Sequence, residues 1–254
     1  MAITVAHIHR YPVKGLSLQA LERVDLAPGA GLPEDRRFAI AHGASEVDPV
    51  NPTWKSKRHF LTLMAHQRLA TLRTEYDADA GTLVITRDGK PVARGQISTP
   101  LGKDLINQFL AAYLKEESLG MPRLVEAPGV SFTDVPDPFV SIINLATVRD
   151  IERVTRQPVD PVRFRGNLLI EGAPAWAEQD WVGRTFTVGG VKLHVAEPIG
   201  RCAATMVNPA TAERDINMLK VLLAGYGHTK CGIYTTVMEP GTISVGDELV
   251  GLEG

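Results

Sequence analysis

The feature that most constrains the fold of this 254-residue chain is a series of short apolar runs, each closed by proline or glycine. Ala2 to His9 is a β-prone run that ends before Pro12, and Arg37 to Ala41 places its large apolar side chains on one face of a strand. Asp88-Gly89 and Gly189-Gly190 are hairpin turn signals between such runs. Many short strands with few helices predict a mainly β fold with decorating helices (α+β), arranged as a barrel or a sandwich.

Three segments have the spacing and capping signals of helices. Thr99 and Pro100 supply an N-cap and a first-turn proline to a helix that Gly120 ends. The apolar residues of this helix recur at helical spacing and are expected in the core. Thr147 opens a second helix as part of a capping box, and Thr211 is expected to cap a third. The core stripe predicted for the first helix is Leu101, Leu105, Ile106, Phe109, Leu110 and Tyr113.

Length and local composition together indicate two domains. A chain of 254 residues is long enough for one large domain or two small ones. The stretch from Glu126 to Pro138 is rich in proline and glycine, and it is the best place in the sequence for a boundary. We therefore predict domains at residues 1–126 and 127–254.

Charge and hydropathy exclude several classes of protein. A net charge of −2 gives no reason to expect a nucleic-acid partner or a charged membrane surface. No apolar run reaches the roughly 18 residues that a membrane helix needs, and the first residues lack the apolar region and cleavage site of a signal peptide. Two cysteines give no disulfide framework and fit a reducing compartment. We expect a soluble cytoplasmic protein without a nucleic-acid or membrane partner.

One stretch of the sequence has the features of a reactive thiol. The apolar run from Val191 to Ala196 predicts a strand, and Pro198 and Gly200 are expected to end it just before Arg201 and Cys202. An arginine beside a cysteine at a strand end favours the thiolate, and a loop exposes it. A small buried thiol that fills a gap in the core explains the same residues equally well. The residues alone leave both interpretations open.

Motifs for two other chemistries do not match. A phosphatase loop requires an arginine six positions after its cysteine, and neither Cys202 nor Cys231 has one. His7 and His9 point the same way from the first predicted strand, but no third ligand is spaced with them. A zinc site is therefore not expected there.

Six cations at loop and strand ends could hold an anion. Each of them alone is typical of a solvated or salt-bridged surface residue. Together with a thiol they would suit an anionic cofactor, because arginine binds phosphate through two hydrogen bonds, lysine adds a point charge, and a soft thiolate binds a metal or carries sulfur. The residues alone indicate an anion site with a reactive cysteine and nothing more specific. The set consists of Lys14, Arg36, Arg37, Arg163, Arg165 and Arg201.

A series of short motifs spans almost the whole chain. They are Tyr11 to Gly15, Gly31 to Phe38, Phe164 to Asn167, Glu178 to Gly183, Arg201-Cys202, Cys231 to Tyr234, and Gly241 to Asp247. Each motif is weak alone, but together, and in this order, they resemble the family of proteins in which an N-terminal MOSC β-barrel domain precedes a MOSC domain. That family includes the mitochondrial amidoxime-reducing component and its bacterial relatives, and the shared order of the motifs makes the resemblance specific.

The resemblance implies a smaller N-terminal β-barrel domain at residues 1–126 and a MOSC-type β-barrel at residues 127–254. It also implies that the chain binds the molybdenum cofactor (Mo-molybdopterin), with Cys202 as the catalytic cysteine and the protein ligand to molybdenum. Lysine and arginine side chains would hold the pterin and its phosphate. By matching position, the cofactor-binding residues are Lys14, Gly15, Arg36, Thr147, Arg165, Asn167, Arg201, Cys202 and Tyr234.

The activity that the resemblance implies is oxidoreduction. The substrates would be N-oxygenated small molecules, chiefly N-hydroxylated ones, and the electrons would come from a separate flavoprotein or cytochrome. A second interpretation is a sulfur or cofactor carrier with a persulfide on Cys202 and no redox turnover. A third is a binding module of the same fold in which Cys202 is inert.

Some positions depart from the family's pattern. Gly15 stands in place of a serine, so one side-chain hydrogen bond to the cofactor is expected to be missing. Gly166 replaces a proline, which is expected to loosen that turn, and Asn144-Leu145 replaces Ser-Glu in the pocket wall. From the sequence, which runs to Gly254, we expect neither the ferredoxin domain of some bacterial relatives nor the targeting helix of the mitochondrial ones. A separate electron donor is therefore expected.

Overall fold

The computed structural model describes residues 2–48, 50–126, 129 and 131–253. Strands dominate these residues, so the predicted mainly β fold with decorating helices is confirmed. None of the described helices combines the length and the apolar character needed to cross a membrane. The helices are α1 (Pro100–Leu114), α2 (Leu145–Thr155) and α3 (Met218–Tyr226). The strands are β1 (Ile3–Arg10), β2 (Gln19–Leu21), β3 (Arg23–Leu26), β4 (Phe38–Ala41), β5 (Arg73–Asp77), β6 (Thr82–Arg87), β7 (Lys90–Gln96), β8 (Arg123–Glu126), β9 (Val140–Asn144), β10 (Leu168–Glu171), β11 (Thr185–Val188), β12 (Val191–Gly200), β13 (Lys230–Glu239), β14 (Gly241–Ser244) and β15 (Glu248–Glu253).

Seven strands close into a barrel in the order β1-β10-β9-β13-β12-β11-β15. Strand β1 closes it, because it pairs antiparallel with β10 on one side and with β15 on the other. Closure leaves the barrel strands without free edges, which removes the sites of unwanted strand pairing. The alternation of the strands turns apolar side chains inward, including Val5, Phe186, Leu193 and Ile233.

The barrel is not built from the C-terminal half alone. Strand β1 lies within it, β2 pairs with β1 at its side, and β3 pairs with β14. The first 26 residues thus pack with the strands of the second half. The predicted boundary between residues 126 and 127 falls at Ala127, which lies outside the described residues, so the two domain ranges stay a prediction.

The rest of the N-terminal half forms a smaller β unit. Strands β4 and β8 pair antiparallel, and β5, β6 and β7 form a three-stranded meander. Helix α1 packs against β7 and β8. The shared core of these elements includes Phe38, Leu72, Ile85, Ile106 and Leu110.

Helix α1 begins as predicted and buries a narrower face than predicted. The Thr99 hydroxyl accepts a hydrogen bond from the Gly102 amide at 3.1 Å, and Pro100 is the first helical residue. Leu101 and Leu105 are 72% and 47% exposed, so their assignment to the core was wrong. The sheet covers only the face that carries Ile106, Leu110 and Leu114, with Phe109 and Tyr113 half-buried beside it.

The other two helices begin at residues different from those predicted. Asn144 caps α2, because its side-chain oxygen accepts from the Ala146 amide at 3.0 Å, whereas Thr147 lies inside the helix. Asn217 caps α3 through the Lys220 amide at 3.1 Å, and Thr211 lies well before the helix. The capping assignments to the two threonines were therefore wrong. Asparagine is at least as favourable as threonine at the N-cap, and in both helices an asparagine occupies that position.

A buried carboxyl group joins α2 to the loop before β11. Glu178 is fully buried, and it accepts hydrogen bonds from the Asn144 amide at 2.8 Å and the Thr147 hydroxyl at 2.9 Å. Burial raises the pKa of Glu178, and the two hydrogen bonds offset this only in part. The folded state therefore favours the protonated carboxyl more than the unfolded state does.

This arrangement predicts a pH-dependent difference between the wild type and Glu178→Gln. A raised folded-state pKa contributes stability below the unfolded-state pKa, and that contribution is lost as the pH rises through the folded-state pKa. The free energy of unfolding of the wild type should therefore fall relative to Glu178→Gln as the pH rises from about 4.3. Across the whole pH range, the difference in unfolding free energy between the two proteins should change by about 1.4 kcal/mol for each unit by which the folded-state pKa of Glu178 exceeds the unfolded-state pKa. Urea unfolding of both proteins from pH 4 to pH 8 measures it, and a constant difference would contradict the assignment.

Candidate functional site

A cleft of about 380 Å³ lies where the two halves meet. The loop after β1 and the segment between β4 and β5 supply one side, and the strand ends of the barrel supply the other. The cleft brings together eight of the nine residues predicted to bind the cofactor. These are Lys14, Gly15, Arg36, Arg165, Asn167, Arg201, Cys202 and Tyr234.

Cys202 lies half-buried in the cleft directly after β12. Its carbonyl accepts from both the amide and the hydroxyl of Thr205, at 3.1 and 2.9 Å, which fixes a short 3₁₀ turn behind the thiol. The prediction that Pro198 and Gly200 end the strand was wrong, because β12 continues through both and still pairs with β13. Shifts of register absorb the missing proline donor, and they bring the strand end to the cleft.

The guanidinium group of Arg201 donates hydrogen bonds to backbone carbonyl groups. Its Nε donates to the Cys231 carbonyl at 2.7 Å, and its Nη1 donates to the Phe164 carbonyl at 2.9 Å. Burial lowers the pKa of Arg201, although the nearby thiols of Cys231 and Cys202 oppose this. The guanidinium thus ties three segments together behind Cys202, in addition to placing positive charge there.

A second cation, which the sequence did not reveal, reaches the thiol from the N-terminal half. Lys57 lines the same cleft as Cys202 and donates to the Asp134 carboxylate at 2.8 Å. Burial works against its charge, but Asp134 and the thiol raise the pKa of Lys57 overall. Lys57 lies in a stretch rich in proline, asparagine and serine, and no local pattern distinguishes it from other loop lysines.

Asp134 joins two lysines across the cleft. Its other carboxylate oxygen accepts from Lys14 at 2.7 Å, and Lys14 also donates to the Phe132 carbonyl at 2.8 Å. Burial alone would raise the pKa of Asp134, but the charges of Lys14 and Lys57 lower it well below its usual range. The sequence suggested only a turn residue, because nothing local shows that two distant lysines converge on this carboxylate.

Two arginines lie over one tyrosine ring at the inner end of the cleft. The guanidinium carbons of Arg36 and Arg165 are 4.4 and 4.1 Å from the centroid of the Tyr11 ring. Arg36 also pairs with Asp35 and donates to the Arg165 carbonyl at 2.8 Å. Both arginines have backbone φ angles in the left-handed region, 49° and 52°. Non-glycine residues adopt this conformation at a cost, and such strain is concentrated at functional sites.

Arg165 carries a donor that the protein leaves unused. Its Nη1 donates to the Leu16 carbonyl at 2.8 Å, but its Nη2 is buried and has no hydrogen-bond partner among the described residues. Burial and the charge of Arg36 lower the pKa of Arg165 to about 10. A buried guanidinium N–H without an acceptor is costly. An anion in the cleft would remove that cost.

Asn167 and Tyr234 form part of the cleft wall by different means. The Asn167 side chain accepts from the Ser141 amide and hydroxyl, at 3.1 and 2.7 Å, and donates to the His9 carbonyl at 3.2 Å. It thereby connects β1, β9 and the residue before β10. Tyr234 stacks on Phe139 with ring centroids 5.0 Å apart, and burial raises its pKa.

Thr147 is the one predicted cofactor contact that the fold does not bring to the cleft. It is fully buried, its hydroxyl donates to Glu178, and that oxygen accepts from the Trp176 amide at 2.8 Å. Its role in the structure is to pack α2 against the barrel. Of the other predicted cations, Arg163 lines the cleft, and Arg37 pairs with two glutamates away from it.

The glycine at position 15 is required by the backbone. Gly15 has a φ of 85°, and a Cβ added there would lie 2.7 Å from the Leu61 carbonyl oxygen. Real Cβ atoms do not approach backbone so closely. The glycine in place of serine therefore accompanies a close contact between the loop after β1 and the segment between β4 and β5.

We expect Gly15→Ala to destabilise the protein more than Gly29→Ala. Both glycines have φ in the left-handed region, but a Cβ at Gly29 meets nothing within 4 Å. Gly29→Ala should cost about 1–2 kcal/mol of unfolding free energy from backbone strain alone, and Gly15→Ala about 1–3 kcal/mol more from the overlap. Chemical denaturation measures both, and equal losses would show that the loops separate freely.

Within residues 2–48, 50–126, 129 and 131–253, no three histidine, cysteine or acidic side chains converge to form a metal site. The cleft instead offers one half-buried thiol, surrounded by lysine and arginine. A metal bound to that thiol would need its other ligands from a non-protein group. These features define a β-barrel protein whose cleft combines a cluster of lysine and arginine side chains with one half-buried thiol.

Two family models match the chain. A model of the MOSC domain matches residues 130–250, and a model of the MOSC N-terminal beta barrel domain matches residues 2–117. The two matches follow one another and together take in most of the sequence. The chain therefore belongs to the MOSC family, with an N-terminal barrel domain ahead of the MOSC domain.

Individual relatives are distant. The chain is 24% identical over 238 residues to a molybdenum cofactor sulfurase from Caenorhabditis elegans, a match that covers 86% of this chain and 31% of the sulfurase. It is 24% identical over 281 residues to mitochondrial amidoxime-reducing component 1 from Mus musculus, covering 96% and 81%. A solved structure, the YUAD protein from Bacillus subtilis, is 13% identical with a TM-score of 0.43, covering 98% and 94%. The chain spans less than a third of the sulfurase's length.

Proposed function

We propose that this protein binds Mo-molybdopterin in the cleft, with Cys202 as the protein ligand to molybdenum. The observation that carries the proposal is the surplus of cationic donors around a single thiol. Six lysine and arginine side chains line the cleft against three carboxylates. Two buried guanidinium N–H groups, Nε of Arg163 and Nη2 of Arg165, have no partner among the described residues.

The residues fit the group. The phosphate and dithiolate of the cofactor are anionic, and arginine N–H groups are well suited to phosphate oxygens. Arg165 would donate to the cofactor through the N–H that the protein leaves free, and Lys14 and Arg36 would add positive charge beside it. Lys57 would remain next to the metal-bound sulfur of Cys202. When bound, the cofactor supplies two-electron redox chemistry at the metal.

We propose that the reaction is the reduction of N-hydroxylated small molecules. Cleavage of the N–O bond consumes two electrons and two protons and releases water with the reduced nitrogen compound. The electrons come from a separate donor protein. In this reaction the chain's own residues hold and orient the cofactor. The cytoplasmic location, the substrate class and the donor stay predictions from the sequence and the family.

A second candidate function rests on the similarity to molybdenum cofactor sulfurases. Cys202 is half-buried in an open cleft and lies beside Lys57, so it could carry a persulfide instead of a metal. In that case the protein would transfer sulfur and show no redox turnover. Turnover of a hydroxylamine with an artificial electron donor separates the two functions, because only the reductase consumes the donor.

Replacement of Cys202 by alanine should abolish retention of molybdenum and leave the fold intact. The thiol supplies the only protein bond to the metal, and the side chain is half-buried, so alanine causes little loss of packing. Elemental analysis of the wild type and Cys202→Ala, both expressed in a host that makes the cofactor, measures this. Circular dichroism provides the control for folding. Equal molybdenum in both proteins would refute the ligand assignment.

Arg165→Met and Arg201→Met should separate cofactor binding from folding. Arg165 leaves one donor unused and lies beside Arg36, so its loss should change the unfolding free energy of the cofactor-free protein by about 1 kcal/mol or less. Arg201 donates to two backbone carbonyls, so its loss should cost about 1.5–3 kcal/mol. Both variants should retain less molybdenum than the wild type. Full retention by a folded Arg165→Met would contradict its role in the site.

A further inference from the structure

A short segment without helix or strand, residues 131–139, lies along one side of the cleft, and we call it the strap. Aromatic contacts hold both of its ends. Phe132 is completely buried and packs on Phe60 with ring centroids 5.1 Å apart, and Phe139 stacks on Tyr234 at 5.0 Å. The positions between these two ends are half-buried or exposed. The middle of the strap is therefore free to change position without opening the core.

Asp134, in the middle of the strap, pairs with two lysines of the N-terminal half. Lys14 donates to one carboxylate oxygen at 2.7 Å, and Lys57 donates to the other at 2.8 Å. Asp137 lies three positions further along the same strap and also lines the cleft, but it has no ion pair among the described residues. Pairing with the lysines is thus specific to Asp134 and is not a general property of acidic residues in the strap.

The two partners of this ion pair differ in their exposure to solvent. The side chain of Lys14 is 7% exposed, whereas that of Asp134 is 41% exposed. Burial and the charges of Arg36 and Arg165 lower the pKa of Lys14, and the carboxylate of Asp134 opposes this. A buried ammonium group needs a negative partner, because it has lost the solvation of water. Unless another anion is bound, Asp134 supplies that negative charge, and it is also the partner that is able to move into solvent.

A phosphate group in the cleft would compete with Asp134 for the same lysine donors. Lys14 has three donors at most, and two of them are used by the Phe132 carbonyl and by Asp134. A ligand that displaces the carboxylate must offset the loss of two ion pairs. A multiply charged oxyanion does this better than a small monovalent anion, because it offers more charge and more acceptors. Competition of this kind makes a site selective by penalising the wrong ligand.

We propose that Asp134 is a specificity-determining residue, which holds the two lysines until a phosphate group displaces it from them. The inference rests on the proposed function, because the phosphate group is then that of the cofactor. It adds a selection step, in which the carboxylate of the strap admits multiply charged oxyanions and rejects monovalent ones such as chloride. Asp134 moves toward solvent when the oxyanion binds, and the ends of the strap stay in place.

The test is isothermal titration of the full-length protein with inorganic phosphate, after expression in a host that does not make the cofactor. We expect Asp134→Asn to bind phosphate at least about tenfold more tightly than the wild type. This gain corresponds to lysines that are free of Asp134 about 10% of the time or less in the wild type. Equal affinities in the two proteins, including no measurable binding by either, would overturn the inference.

Asp137→Asn is the matched control, since it removes the same charge from the same strap. Its phosphate affinity should differ from that of the wild type by less than about twofold, because exposed charges are screened by salt. Equal gains in Asp134→Asn and Asp137→Asn would overturn the inference, since the effect would then be one of net charge alone. The double variant Asp134→Asn/Lys14→Met should lose the gain, and a gain that persists without Lys14 would also contradict the proposal.

A crystal structure of the wild type grown with phosphate provides a readout that does not depend on the folding of a variant. We expect phosphate within hydrogen-bond distance of Lys14 Nζ, with the Asp134 carboxylate no longer bonded to it. Phosphate that is absent from the cleft, or present while Asp134 still bonds both lysines, would overturn the inference. None of these experiments measures molybdenum, so their failure leaves the proposed ligand Cys202 standing. Displacement of Asp134 by phosphate in a protein that never binds molybdenum would support the inference and refute the proposed cofactor.

Discussion

The pairing of β1 with β10 is the interaction on which the rest of the site depends. Because β1 closes the barrel of the second half, the residues that follow it must leave the barrel beside the start of β10. The His9 amide donates to the Asn167 carbonyl at 2.7 Å, and the Asn167 side chain returns a hydrogen bond to the His9 carbonyl. This connection places Tyr11 against Arg165 and brings Lys14 to Asp134. In each pair the first residue comes from the N-terminal half of the sequence and the second from the C-terminal half.

The cleft has a concentration of positive charge that the fold alone does not require. Lys14 and Lys57 share the single carboxylate of Asp134, and Arg36 and Arg165 lie over one ring although their charges repel. Each burial of charge costs desolvation energy, and an unused buried N–H adds to that cost. Proteins tolerate such costs where a ligand compensates for them. Under the function proposed above, binding of the anionic cofactor would offset these costs.

The structural features that the sequence predicted correctly depend on signals between residues that are close together in the chain. Alternating apolar runs and turn residues predicted the strands, and Thr99 with Pro100 predicted the start of α1, because these signals act within a few residues. Cys202 was singled out from its neighbours as a candidate reactive thiol, and the cation set came from residues at loop and strand ends. The shared order of the motifs then predicted eight residues that the fold brings to one cleft.

What the sequence did not predict depends on distant contacts. Lys57 and Asp134 are 77 positions apart and acquire their roles only through the meeting of the two halves. Thr147 matches a family position, yet the burial of Glu178 against α2 turns its hydroxyl away from the cleft. Proline often ends a strand, but β12 continues past Pro198 because it still pairs with β13 there. Tertiary contacts override local preference in each of these cases.

The most direct test of the account is an anomalous-scattering map at the molybdenum edge, from crystals of the full-length protein purified from a host that makes the cofactor. We predict one molybdenum peak within bonding distance of Cys202 Sγ, with continuous ligand density that reaches the free N–H of Arg165. A fully loaded protein whose molybdenum lies elsewhere, with Cys202 unmodified and the cleft filled only with solvent, would contradict the account.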